Sequence, residues 1–113
     1  MNSEDKYYLV TVKIDDSLNV RSTGEFQGEK NDLGGFNLIK GDVIHSVGVA
    51  VSGRITFHQF DRIYRGGTRY DHPYDGFPTF VKSPNGEYWV AEKGTDVWMQ
   101  ETNNPELLPA FDD

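Results

Sequence analysis

Residues 69–75 bring Arg69, Tyr70, Asp71, His72, Tyr74 and Asp75 within one short stretch, and that mixture suits recognition of a hydroxyl-rich ligand. The C–H face of a sugar ring stacks on an aromatic side chain, and its vicinal hydroxyls need closely spaced acceptors and donors. Tyr70 and Tyr74 supply the rings; Arg69, Asp71, His72 and Asp75 supply the polar partners. Asp71 and Asp75 also offer a carboxylate pair or an oxygen-rich cation site, but two aspartates four apart without a glycine-spaced ladder of ligands are common in solvated loops. No metal site is expected there.

Other chemistries find less to work with. Ser22, Ser46, Ser52 and Ser83 fall in turns or at polar strand positions, and none sits in a Gly-x-Ser-x-Gly elbow. The chain has no cysteine, which excludes a thiol nucleophile, a disulfide framework and a thiolate metal site. His45, His58 and His72 stand in separate segments without the close spacing of zinc ligands. Catalytic residues, metal and cofactor are therefore all expected to be none. Four of the five arginines, Arg54, Arg62, Arg65 and Arg69, cluster in one stretch of an acidic chain. They either neutralise Asp61, Asp71 and Asp75 or form a patch for an anionic or hydroxyl-rich ligand.

The elements that must hold these residues read as strands. In residues 8–14, Tyr8, Val10, Val12 and Ile14 recur at period two, and Leu18 and Val20 alternate with Asn19 and Arg21. Residues 24–35 are polar and glycine-bearing, a long loop. Residues 36–51 read as two strands broken at Lys40-Gly41-Asp42, with Val47, Val49 and Val51 alternating with Gly48 and Ala50, so that another backbone or a partner packs close. Phe60 and Ile63 fall out of phase with Ile55 and Phe57, which points to a β-bulge near His58-Gln59. Residues 65–78 hold two prolines and three glycines and read as a long functional loop. Residues 79–82 and 87–92 read as a hairpin around Ser83-Pro84-Asn85-Gly86. Val97, Trp98 and Met99 read as the last strand, and in the tail Leu107, Leu108 and Phe111 pack loosely on the rest.

Three pieces in order, Leu18-Asn19-Val20-Arg21-Ser22-Thr23-Gly24, Lys40-Gly41-Asp42-Val43-Ile44 and Gly86-Glu87-Tyr88-Trp89-Val90-Ala91-Glu92, resemble the skeleton of the bacterial Src-homology-3-like (SH3-like) family over about residues 8–93. The resemblance implies a small β-barrel that binds cell-wall peptide, glycan or a partner protein and rarely catalyses. It implies that Arg21 braces the loop after its strand. It also places Trp89 at the family's closing tryptophan, with one face buried and a share in the ligand site. The Gly-Trp pair a typical member carries after the Lys-Gly-Asp turn is missing; Gly53-Arg54-Ile55-Thr56-Phe57 stands there. The inserted loop before Thr79 is expected to take over the groove's role.

With 113 residues and a net charge of -7, the chain is expected to form a single domain over residues 1–113, with residues 1–6 and 103–113 loosely packed. The acidic balance disfavours nucleic acid, and no apolar run supports membrane insertion or a secretory signal, so a cytoplasmic or signal-stripped protein is expected. The expected molecule is an all-β, SH3-like barrel of six to eight short antiparallel strands with a long loop insertion. It is expected to be a non-enzymatic carbohydrate-binding protein whose ligand, a glycan or cell-wall fragment, meets Arg69, Tyr70, Asp71, His72, Tyr74, Asp75 and Trp89. Recognition of a protein or peptide by the barrel's groove is the alternative, and pairing into a homo-oligomer is a further expectation.

Overall fold

A computed structural model describes residues 5–13 and 15–107. Its strands are β1 (Lys6–Val10), β2 (Ser17–Arg21), β3 (Asp32–Ile39), β4 (Val43–Ser52), β5 (Ile55–Arg65), β6 (Thr68–Asp71), β7 (Trp89–Lys93) and β8 (Met99–Thr102). They form one eight-stranded antiparallel sheet in the order β3-β2-β7-β5-β4-β1-β8, with β6 added to β5. Among the described residues there is no α-helix, only short 3-10 turns at Gly28–Lys30 and Pro105–Leu107. No helix is long and apolar enough to cross a membrane.

The period-two apolar pattern becomes one buried face. Val10, Val20, Phe36, Leu38, Ile44, Phe60, Ile63, Val90 and Met99, drawn from seven strands, are almost fully excluded from solvent. Burial of that apolar area is the main favourable contribution to such a fold. Turns hold the strands in register. Gly41, at φ 97°, closes the β3–β4 turn, and the buried Asp42 carboxylate accepts the Ile39 N–H at 2.8 Å. Gly53, at φ 61°, takes the first central position of the two-residue β4–β5 turn, where a II′ hairpin needs glycine. Residues just before β8 also touch the sheet on its other side: the Trp98 N–H donates to Glu92 O at 2.8 Å and its carbonyl accepts the Thr11 N–H at 2.9 Å. Lys93 and Val97 form a bridge beside them.

Several element expectations change. The first strand is Lys6–Val10, and Ile14 lies outside the described residues. The 24–35 loop ends early because β3 starts at Asp32. The bulge lies further along than His58-Gln59: His45 pairs with Arg62, Ser46 with Phe60 and Gly48 with Gln59, so Asp61 and Val47 are the extra residues. That slip puts Phe60 and Ile63 in the same core. Part of the 65–78 loop, Arg65 and Thr68–Asp71, is strand, because Gly66 and Gly67 both take positive φ and turn β5 into β6. Residues 79–82 form no strand, and β7 pairs with β5 and β2 instead of with them. Their polar groups are used elsewhere: Thr79 bonds both backbone groups of Asn37, and the Ser83 N–H donates to the Tyr88 hydroxyl. The ends are better held than expected. Lys6 pairs in β1, Pro105 is buried and Glu106 is hydrogen-bonded, whereas Leu107 is exposed and Leu108 and Phe111 lie outside the described residues.

Candidate functional site

Residues 69–75 split between strand, surface and core. Tyr74 is fully buried: its ring packs on Phe36, Phe60 and Tyr88, and its hydroxyl donates to Phe60 O at 2.8 Å. Burial, with Asp61 nearby, pushes its phenol well above the usual range. The ring expected at the surface is thus a core residue, and Tyr70 is half-buried edge-on to Phe77. His72 is exposed but lies edge-on to Tyr74 and Tyr88, with Nε2 3.2 Å from Gly86 O. Asp75 is exposed and its carboxylate meets no partner among the described residues.

The basic stretch is neutralised from within. Arg69 donates to Asp71 at 2.8 Å and to Glu106 at 2.7 Å. Arg62 donates to the Tyr64 hydroxyl at 2.9 Å, and that hydroxyl donates to Glu106 at 2.6 Å. Burial and the bond to Glu106 push Tyr64 up to about 12. The same bond, with Arg69 beside it, holds Glu106 below the usual carboxylate range. Arg65 grips Asp42 through both carboxylate oxygens, at 2.8 and 2.7 Å. Only Asp61 and Asp71 of the expected neutralising aspartates take part; Asp42 and Glu106 are the partners that sequence spacing does not reveal.

A polar relay crosses the core side of the sheet. Ser46 Oγ lies 2.7 Å from His58 Nδ1, and His58 Nε2 lies 2.6 Å from Glu92 Oε1. The imidazole is 2% exposed and stacks on Tyr8 with ring centroids 4.1 Å apart. Such a hydroxyl–imidazole–carboxylate chain can move a proton, and it also leaves no buried nitrogen unpaired. Its members come from three strands and carry no local motif, so sequence spacing offers no signal for it. Among the described residues no three of His, Asp and Glu converge as a metal site.

The opposite sheet face carries an apolar cleft of about 200 Å³ between Phe26 and Trp98, floored by Ile55, Phe57 and Ala91 and bordered by Asn19 and Arg21. Phe26 is 60% exposed. Arg21 stacks 4.8 Å over its ring while donating to Gly28 O at 2.6 Å and Asn31 Oδ1 at 3.0 Å. Arg21 therefore braces the loop after β2. Trp89 lies half-buried on the same face, its indole N–H donating to Glu87 at 3.0 Å. The loop lies flat upon it, since a Cβ at Gly24 would come within 2.7 Å of Ala50 Cβ and 2.9 Å of the indole. No hydrogen bond, ion pair or ring contact joins Trp89 to residues 69–75 among the described residues. The sequence signal for the cleft is an aromatic ring, Phe26, in an otherwise polar loop. No family model, curated protein or solved structure matches the chain.

Proposed function

We propose that the chain is a non-enzymatic protein-binding module, a small barrel of the SH3-like kind, that receives an extended segment of a partner in the cleft between Phe26 and Trp98. The exposed Phe26 ring, held over an apolar floor by a pinned Arg21, carries this reading. An apolar ring fixed in place at the surface offers contact area with little ordering left to do on binding. The cleft is smaller than the ~300–1,000 Å³ typical of small-molecule sites and fits one or two side chains of a peptide. The backbone bonds joining Trp98 to both Glu92 and Thr11 support closure into a barrel.

Carbohydrate recognition by residues 69–75 depended on stacking at Tyr74, which is now part of the core, and on polar groups of which Arg69 and Asp71 already bond each other. The runner-up of the sequence analysis becomes the better-supported function. Selection from a peptide library, followed by chemical-shift mapping of the bound peptide, tests it. Shifts should centre on Asn19, Arg21, Phe26 and Ala91, and Phe26→Ala should weaken binding about tenfold or more while leaving stability within about 0.5 kcal/mol. A glycan whose shifts centre on His72 and Asp75 would restore the lectin reading.

A further inference from the structure

We infer that the outer half of β4, residues 47–52, is the edge through which two copies of this chain pair antiparallel about a two-fold axis near Ala50. β1 covers β4 only up to Ser46, and among the described residues nothing pairs with the next six on that side. Ser52 lies opposite Ile55 across the two-residue turn, Ala50 opposite Phe57 and Gly48 opposite Gln59, and a hairpin turn of that length makes these the hydrogen-bonded pairs. Alternation then directs the N–H and C=O groups of Val49 and Val51 outward, where no described residue pairs with them.

The other edges of the sheet are blunted. Thr79 occupies both backbone groups of Asn37 on β3, and β6 and β8 are four residues long and carry Arg69, Asp71 and Glu101. Short, charged or covered edges resist pairing. Residues 47–52, Val-Gly-Val-Ala-Val-Ser, have no charge and no proline, and Val47, Val49 and Val51 are 48%, 62% and 68% exposed.

A second copy fits this edge because the segment is self-complementary. With Ala50 on the axis, each Val49 faces the partner's Val51, and the small residues lie on the other face of the sheet. The same register brings the partner's Arg54 beside Ser46 and the start of β1. There Asp5 is exposed, with one carboxylate oxygen 3.4 Å from His45 Nε2 and the rest of the carboxylate open to solvent, and Arg54 has no ion-pair partner of its own among the described residues. Two Arg54–Asp5 contacts would neutralise the ends of an interface between chains that each carry a net charge of -7.

An edge pairing of this length is smaller than a standard interface, so the dimer should form in a concentration-dependent way, with a dissociation constant on the order of 100 µM. Sedimentation velocity of the full chain up to about 1 mM measures it, and amide exchange at Val49 and Val51 should slow as concentration rises. Val49→Lys should raise the dissociation constant about tenfold or more. Arg54→Glu should weaken pairing about two- to fivefold, and adding Asp5→Lys should restore it. These residues lie outside the cleft, so loss of dimer with peptide binding intact separates this inference from the proposed function. A monomer throughout, or a dimer untouched by Val49→Lys, overturns it. So does protection of the Val49 and Val51 amides that is independent of concentration and vanishes when residues 1–4 are deleted, because the chain would then be covering its own edge.

Discussion

Residues 68–77 and the outer half of β4 are opposites in chemistry and in availability. The first holds two aspartates, of which Asp71 is paired with arginine, a histidine and three aromatic rings; the second holds three valines, a glycine, an alanine and a serine. The chemically rich segment is largely committed: Tyr74 fills the core, Arg69 bonds Asp71 and Glu106, and Phe77 lies under the Arg65 guanidinium at 4.5 Å. The plain one keeps backbone groups without partners among the described residues, and its valines are exposed. Binding capacity follows from what is left unpaired in the fold, and residue type alone does not report it.

The sharpest test of that contrast is Tyr74→Ala. It removes a fully buried ring and leaves the Phe60 carbonyl without its donor, so it should cost about 3–5 kcal/mol in urea unfolding. Tyr74→Phe, which keeps the ring, should cost about 1 kcal/mol, and Val49→Lys within about 0.5 kcal/mol. A stable Tyr74→Ala protein that has lost a glycan ligand would invert the comparison. Next in size is Arg65→Ala, which strands the buried Asp42 carboxylate and should cost about 3 kcal/mol. Asp42 also accepts the Ile39 N–H, so the loss should appear as faster exchange in the β3–β4 turn.

Ser46→Ala should cost about 1–2 kcal/mol, since it leaves one nitrogen of a buried imidazole without a partner. Ser46 should not be labelled by a fluorophosphonate; labelling that depends on His58 would make the relay catalytic and overturn the non-enzymatic reading. The smallest expected effect is local. Glu106 is depressed in the fold, so its stabilising contribution is present above the ordinary carboxylate pKa of about 4.3 and is lost as pH falls through its lower folded value. Tyr64 is raised to about 12, so its contribution is present below the ordinary phenol value of about 10 and is lost as pH rises from there through the folded one. Amide exchange at Glu106, Leu107 and their neighbours, corrected for its intrinsic pH dependence, should therefore quicken at both extremes while the core strands stay protected.

The strand content was legible because alternation is local. Leu18 and Val20 face inward and Asn19 outward, and Gly41 turns the chain where it was expected to. The hairpin at Gly66-Gly67 was equally local in origin, yet the density of glycine and proline that follows made the whole segment read as loop. For the site, Asn19 alternates outward in its strand, but the cleft that it shares with Phe26, Ile55, Ala91 and Trp98 is assembled from stretches far apart in the chain.

The amino-acid sequence by itself determined an all-β chain, the turn at Gly41 and the absence of thiol chemistry, because each depends on residue type or on neighbours within a few positions. Only the tertiary structure decided which rings are core, which charges are paired and which edge is open. Those outcomes depend on partners far apart in the chain: Tyr74 with Phe60, Arg69 with Glu106, Ser46 with His58 and Glu92. They also depend on the register slip at Val47 and Asp61. Hydrogen bonds and ion pairs act over a few ångströms and in fixed directions, so one residue of slip reassigns every partner beyond it.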